Sequence, residues 1–443
     1  MSDTIAALAS GQIPAGVAVI RVSGPTAFAI VDKVTNVACQ SQGHATARLI
    51  AIHSTPDCRL LDNALRIVFR APKSFTGEDV VELHLHGGLV VIDEVLEQLY
   101  AAGARPANRG EFTERAFING KIDLTQAEAI ADIIAAPTRS ARELATFQLG
   151  GLLSRRINTI EQSIQSARVL VEASIDFPED VGDVDVNVLT PIIHDALRAL
   201  EALQQTARRG QLLRKGAVIV LLGAPNVGKS SLLNALLGKE RAIVSPIAGT
   251  TRDTIDVQID LSGIPVTLTD TAGLRDSADE IERIGIDRTH SSAREADIIL
   301  ALDSVGTPRV ALPTIQESTK IIHVQTKADL LSIPNDSGDT YYVSALTGFG
   351  IDALINGIRQ ALLDDALSSS LTDAIAINAR HAALITNAVE ALQRLIVASS
   401  ADVPADLLAV ELNDAAFHLA SISGRDVIEA IHQEIFSRFC IGK

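Results

Sequence analysis

Residues 223–231 read GAPNVGKSS directly after AVIVLL, an apolar run with the length of a buried parallel strand, and run into the helix-like SSLLNALLG. Strand, glycine-rich turn and helix in that order commit this part of the chain to an α/β sheet with a phosphate loop at its carboxyl edge. Gly223, Gly228, Lys229 and Ser230 satisfy G-x-x-x-x-G-K-[ST]. Backbone N–H groups and the positive helix end can cradle phosphates, Lys229 can reach the outer ones, and the Ser230 hydroxyl can hold magnesium.

Four further words follow in order: GTTRD at 249–253, DTAG at 270–273, TKAD at 326–329 and SAL at 344–346. Asp270 closes a strand where its carboxylate can hold the magnesium shell, and Gly273 leaves an N–H for the terminal phosphate. Thr250 and Thr251 lie in a switch-type loop. Asp329 can accept from the ring N–H and amine of guanine, whereas adenine would meet it with an unpaired acceptor. The set therefore reads as a guanine-nucleotide switch. Thr326 stands where the usual word Asn-Lys-x-Asp has asparagine; one hydroxyl replaces an amide, which predicts weaker base affinity with the Asp329 discrimination intact.

Leu274 follows DTAG where small GTPases place a glutamine, so another group must align the attacking water. Asp276, Asp279, Glu280 and Glu282 come next; acidic residues in such a stretch are ordinarily solvated loop charges. No arginine finger is evident either. Asn226, inside the phosphate loop, can hold a monovalent cation in its place or cap its own turn.

The chain has 443 residues, 47% of them apolar, enough for two to three domains. Mean hydropathy is +0.24, yet no apolar run approaches the roughly 20 residues of a membrane helix and the N-terminus lacks a secretion signal, so a cytoplasmic location is expected. Cys39, Cys58 and Cys440 form no CxxC and predict reduced thiols. A net charge of −16, pI near 5.1 and 3% aromatics argue against broad nucleic-acid binding, leaving a local patch or a partner for any RNA contact.

Residues 1–118 alternate strand and helix signals: GVAVIRVSG and ALRIVF read as strands, LVVIDEVLEQLYAAG as a helix closed by Gly103. Residues 119–212 carry helical periodicity, interrupted by FPEDVGDVD between Phe177 and Asp185. The nucleotide domain occupies 216–368, SSSLTDA reads as a linker, and helices fill 372–443. The expected fold is multidomain α/β plus all-α. Helical sequence on both sides of the switch domain predicts its insertion into one discontinuous helical domain; three separate beads are the alternative.

Period two puts Val17, Val19, Arg21 and Ser23 on one face of the first strand and Ala18, Ile20 and Val22 on the other, leaving Arg21 a charge among apolar neighbours. In VVELHLHGG, Glu82, His84 and His86 share a face opposite Val81, Leu83 and Leu85. Arg21 and Glu82 need partners, each other or a polar ligand. His84 and His86 lack a third metal ligand at useful spacing and read as a satisfied structural pair. Lys121 precedes a helix capped by Asp123 or Thr125. Gly442 and Lys443 argue against prenylation of Cys440, which either lines a site or is a buried small residue, the commoner case.

GEDVVELHLHGG, RGEFTERAFINGKIDLTQAEAIADII, GAPNVGKSSLLNALL, AGTTRD, DTAGLRDSADEIERIGI and the terminal FCIGK together resemble the tRNA-modification GTPase family MnmE (TrmE) across the whole chain. The resemblance implies an N-terminal α/β domain that binds tetrahydrofolate and dimerises, and a helical domain carrying an inserted Ras-like P-loop GTPase domain. It puts nucleotide contacts on Asn226, Val227, Gly228, Lys229, Ser230 and Ser231, then on Ser245, Pro246, Ile247, Ala248, Gly249, Thr250 and Thr251. Further contacts fall on Asp270, Thr271, Ala272 and Gly273, on Thr326, Lys327 and Asp329, and on Ser344, Ala345 and Leu346. Magnesium would be held by Ser230 and Thr251, and potassium by Asn226, Ser245, Ile247 and Thr250. Glu282 matches the water-positioning glutamate. Folate contacts fall on Arg21, Glu82, Lys121 and Lys443, and Cys440 matches the terminal cysteine.

The implied reaction installs an aminomethyl-type (carboxymethylaminomethyl) group at carbon 5 of the wobble uridine of certain tRNAs. A homodimer joins the FAD-dependent partner MnmG (GidA) in a heterotetramer; a 5-formyl- or methylene-tetrahydrofolate supplies carbon, and glycine or ammonium supplies nitrogen. Two rivals remain. A ribosome-assembly GTPase would be expected to carry a basic RNA-binding domain, and a folate-dependent transferase acting alone would need no flavoprotein.

Overall fold

The computed structural model describes residues 3–11, 14–242, 255–270, 294, 296–304, 315, 319–331, 340–363, 377–401, 403–425, 434–437 and 439–443. The chain divides into two compact units, residues 1–131 with 420–443 and residues 132–419. Among the described residues no helix is long and apolar enough to cross a membrane.

The first unit carries a six-stranded sheet built from β1 (Ile5–Leu8), β2 (Ala15–Ser23), β3 (Ala47–His53), β4 (Leu60–Phe69), β5 (Val80–Gly87) and β6 (Arg105–Pro106). The spatial order is β3-β4-β5-β2-β1-β6, antiparallel except for β1 with β6. Alternation decides its faces: Ala18, Ile20 and Val22 of β2 and Val81, Leu83 and Leu85 of β5 are buried in one core with α1 (Ala27–Val34) and α2 (Leu89–Ala101). Gly103, at φ +118, follows the end of α2 as the sequence predicts. On the opposite face of β1, Ile5 and Ala7 cluster with Phe112 of α3 (Glu111–Ile118).

The first unit also contains the start of α4 (Leu124–Ala135). Asp123 is its cap: the carboxylate accepts from Gln126 N at 2.9 Å while Gln126 Oε1 accepts from Asp123 N at 3.0 Å, a reciprocal box that decides between Asp123 and Thr125. Residues 420–443 group with this unit and not with the helices that precede them, because Ile435, Phe436 and Phe439 bury against Leu124, Ala127 and Phe117.

The second unit carries a seven-stranded sheet of β7 (Ala217–Gly223), β8 (Arg241–Ala242), β9 (Ile255–Leu261), β10 (Ile264–Asp270), β11 (Ile298–Ser304), β12 (Lys320–Thr326) and β13 (Thr340–Tyr342). Its order is β13-β12-β11-β7-β10-β9-β8, with the first five parallel. Both faces are covered, which is why β7 and β11 read as unbroken apolar runs.

Helices α5 (Arg139–Leu149), α6 (Leu152–Asp176), α7 (Pro178–Val181) and α8 (Val186–Lys215) precede this sheet; α9 (Lys229–Lys239) and α10 (Ile351–Leu363) belong to it, and α11 (Ala379–Ser400) and α12 (Ala405–Ser423) follow. The FPEDVGDVD interruption is the single turn α7 with Pro178 at its start, then a new cap in which Asp185 accepts from Asn187 N at 2.9 Å. Gln204 of α8 donates to Thr386 of α11 at 3.0 Å. Helices from before and after the sheet thus pack together, which is the insertion topology and not three beads. Leu144 of α5 and Leu213 of α8 enter the core of the sheet itself.

Candidate functional site

β7 lies between β10 and β11, where the strand order reverses direction, so a crevice opens beyond its carboxyl end. The phosphate loop sits there. Gly223 touches β11 so closely that a Cβ would lie 2.6 Å from Leu302 O, and Gly228 turns into α9 at φ +106. Val227 is buried and anchors the loop, while Asn226 takes φ +61 and is exposed. Lys229 Nζ donates to Gly223 O at 2.7 Å and to Ala224 O at 3.1 Å, lying along the loop it belongs to. Ser230 and Ser231 are exposed in the first turn of α9. Asp270 ends β10 opposite Leu221, one strand from the loop.

TKAD and SAL leave the carboxyl ends of β12 and β13 on the same edge. Asp329 is exposed, and its Oδ1 accepts from Ser344 Oγ at 2.6 Å, with Ser344 fully buried. This fixes the carboxylate that the sequence assigned to guanine. Lys327, at φ +57, donates from Nζ to Asn226 O at 3.0 Å. Thr326 is only 4% exposed, and its hydroxyl hydrogen is shared between Val227 O and Asp303 O. Both bonds commit this hydroxyl, which stands where the usual word has an asparagine amide, to backbone carbonyls. Ala345 is half-buried, whereas Leu346 is exposed.

In the first unit Arg21 and Glu82 stand directly opposite each other on β2 and β5. Arg21 Nε and Nη2 both donate to Glu82 Oε1, at 3.0 and 2.8 Å. The guanidinium also lies 5.6 Å from the centroids of both Phe75 and Phe112, so its neighbours are aromatic faces. It is half-buried on the face away from the main core. Glu82 Oε2 is 3.6 Å from His84 Nε2, beyond hydrogen-bond range, and that nitrogen is buried without a partner among the described residues. The expected satisfied histidine pair therefore does not form: His86 Nδ1 instead meets Asp62 Oδ1 at 2.7 Å. Among the described residues no group of three His, Cys, Asp or Glu can hold a metal.

Lys121 Nζ donates to Pro72 O at 3.0 Å, on the loop that carries Phe75 against Arg21. Lys443 ends a tail held by backbone: Gly110 N donates to Cys440 O at 3.4 Å, and a Cβ on Gly442 would lie 2.0 Å from Leu8 O. Cys440 is exposed, against the expectation of a buried residue, because Phe439 before it takes the buried position.

Sequence reasoning missed an ionic network beside this site. Buried Arg115 donates to Asp3 Oδ1 at 2.8 Å, to Glu111 Oε1 at 2.9 Å and to both Glu78 oxygens at 3.2 Å. Arg105 donates to Glu111 at 2.6 and 2.9 Å and to Asp3 at 2.7 Å. Hydrogen bonding from Arg105 is the main cause that holds the Asp3 carboxyl below its ordinary range, with both arginines adding charge. For Glu111, burial pushes the pKa up, but hydrogen bonds from Arg105, Asn108 N–H and Arg115 outweigh it and leave it lowered. Glu111 and Arg115 are four residues apart on α3, the one sequence signal that could have revealed the pair.

Ser245, Pro246, Ile247, Ala248, Gly249, Thr250, Thr251, Thr271, Ala272, Gly273, Leu274 and Glu282, with the whole SSSLTDA linker, lie outside the described residues. The family described as MnmE helical domain matches residues 124–440, and that described as GTP-binding protein TrmE N-terminus matches residues 4–121. The tRNA modification GTPase MnmE of Chloroflexus aurantiacus is 40% identical over 454 residues, covering 100% of both chains. Its namesake from Synechococcus sp. (strain JA-3-3Ab) is 38% identical over 456 residues, covering 100% of this chain and 99% of that one. The protein of that name from Thermus thermophilus is 39% identical over 450 residues, again with 100% of both covered. With both family descriptions and full-length relatives agreeing with the fold, the chain belongs to the MnmE (TrmE) family of tRNA modification GTPases.

Proposed function

We propose that the chain hydrolyses GTP at the carboxyl edge of β7 and, with the FAD-dependent MnmG, installs a carboxymethylaminomethyl-type group at carbon 5 of the wobble uridine of certain tRNAs. The observation that carries the nucleotide reading is the arrangement of that edge. Gly228 and Lys229 form a phosphate loop beside an Asp329 carboxylate already oriented by Ser344. In this reading Asp329 accepts from guanine, Gly228 and the first turn of α9 bind phosphate, and Lys229 exchanges its loop carbonyls for phosphate oxygens.

The exposed hydroxyl of Ser230 and the strand-end position of Asp270 fit a magnesium site, with Thr251 as the second hydroxyl. Exposed Asn226, in its left-handed turn, fits a potassium ligand, with Ser245, Ile247 and Thr250 completing the set. When bound, the two ions would supply positive charge to offset the negative charge that develops on the phosphates. Glu282 positions the attacking water, and pairing of two G domains in a homodimer orders the switch segment.

The Arg21–Glu82 pair supports a pteridine site in the first unit. Arg21 engages one oxygen of Glu82, leaving Oε2 to accept from an amino-pyrimidine edge. Lys121 and Lys443 supply cations for the carboxylates of a tetrahydrofolate donor, whose chemistry is delivery of the one-carbon unit. Cys440, exposed beside Lys443, is available to act there. The test is reconstitution with GTP, a tetrahydrofolate donor, the flavoprotein and unmodified tRNA, with the product nucleoside read by mass spectrometry. Product is expected only with all components; product without the flavoprotein would favour the lone transferase.

A further inference from the structure

Arg21 satisfies only half of the Glu82 carboxylate. Oε1 takes both guanidinium donors, at 3.0 and 2.8 Å, and among the described residues Oε2 takes no hydrogen bond. His84 lies two residues further along β5 on the same face, with Nε2 3.6 Å from that oxygen, and Nε2 is buried without a partner among the described residues. The residues directly across from His84 are Val19 on β2 and Leu65 on β4, whose side chains have no polar group to offer it. His86, the next residue on that face, is already bonded to Asp62 at 2.7 Å.

A buried ring nitrogen with no partner is unfavourable, and a group of this kind in a folded protein calls for an explanation. The nearby carboxylate oxygen favours the tautomer that carries its hydrogen on Nε2, which makes Nε2 a donor. An acceptor, Oε2, and a donor, Nε2, therefore stand side by side 3.6 Å apart. Their complement is a ring edge with an N–H next to a carbonyl oxygen. The pyrimidine ring of a pterin has that edge, its N3 hydrogen lying beside the oxygen on C4. A 4-amino pteridine does not: it lacks the N3 hydrogen and turns a second donor toward Nε2.

We propose that His84 is a specificity-determining residue of the pteridine site, donating from Nε2 to the oxygen on C4 while Glu82 Oε2 accepts from N3. The inference rests on the reading of this face as a folate site and adds to it a choice of 4-oxo over 4-amino pteridines. Arg21, by engaging Oε1, holds the carboxylate in the orientation that leaves Oε2 beside the histidine.

Calorimetry on the full-length wild type, His84→Leu, His84→Gln and Glu82→Ala measures affinity for 5-formyl-tetrahydrofolate and for its 4-amino-4-deoxy analogue. His84→Leu is expected to bind the parent compound about tenfold more weakly and the analogue no worse than wild type, because one hydrogen bond and one clash of donors are removed together. His84→Gln, whose amide can donate, restores the preference for the parent. Unaltered parent affinity in His84→Leu, an equal loss for both compounds, or a loss that His84→Gln fails to repair overturns the role of His84; the folate site still stands if Glu82→Ala has lost affinity. Absence of 5-formyl-tetrahydrofolate binding by the wild type, or wild-type affinity in Glu82→Ala, overturns the folate reading of this face and the role of His84 with it.

Discussion

Asp3 and Glu111 keep their charge because Arg105 and Arg115 reach both carboxylates. Their folded pKa values lie below the ordinary ones, so the stability they contribute is complete above the normal carboxylate range, about pH 4, and is lost as pH falls through the lowered values. Thermal melts across acid pH are expected to show this fall, and Glu111→Gln should flatten it while lowering stability at neutral pH. Cys39 behaves differently. Burial, helped by Asp32, pushes its thiol up to about 12, whereas Cys58 and Cys440 are exposed. A maleimide applied to the native protein should therefore label Cys58 and Cys440 and spare Cys39 until denaturant is added; early modification of Cys39 would contradict its burial. None of this was legible from three isolated cysteines or from the scattered charges of RGEFTER, because burial and partner choice arise from distant parts of the chain.

At the scale of elements, local rules carried further. The strands β2, β4 and β7 and the helix α2 stand where the sequence pattern puts them, and the interruption at Pro178 is a true helix break. Capping chemistry was also local: Asp123→Ala should cost about 1 kcal/mol in chemical unfolding, the usual worth of an N-cap. The joint between α8 and β7 rests on Gly216, at φ +82, where a Cβ would lie 2.3 Å from Pro265 O. Gly216→Ala is expected to destabilise by at least about 1–2 kcal/mol from backbone strain alone, before the clash is counted. A wild-type urea midpoint for that variant would show that the joint can relax. The short strands β1 and β6 escaped the sequence reading because four and two residues are too few to show a period, and they are held by pairing with neighbours.

On the largest scale, the nucleotide sheet is inserted between helices that pack on each other, and among the described residues Leu144 of α5 and Leu213 of α8 both enter its core. Thr138, the cap of α5, also donates to Gly263 O at 3.0 Å in the β9–β10 turn. Rearrangement at the sheet therefore has a route into the helices. Hydrolysis is expected to be faster in potassium than in sodium, with the difference abolished by Asn226→Ala; equal rates in both salts would remove the alkali ion from the account. Glu282→Ala should bind GTP nearly as wild type and turn it over much more slowly, and near-normal turnover would exclude Glu282 as the group that positions water.

The amino-acid sequence by itself determined the nucleotide words, their order, and the face of each strand, since all of these depend on residues a few positions apart. Tertiary structure decided what those residues touch. It turned the Thr326 hydroxyl onto Val227 and Asp303, set Arg21 between two aromatic rings, and brought residues 420–443 back to the first unit. The reason is physical: a hydroxyl or guanidinium can satisfy several partners equally well in an extended chain, and only the packing of distant backbone leaves it one.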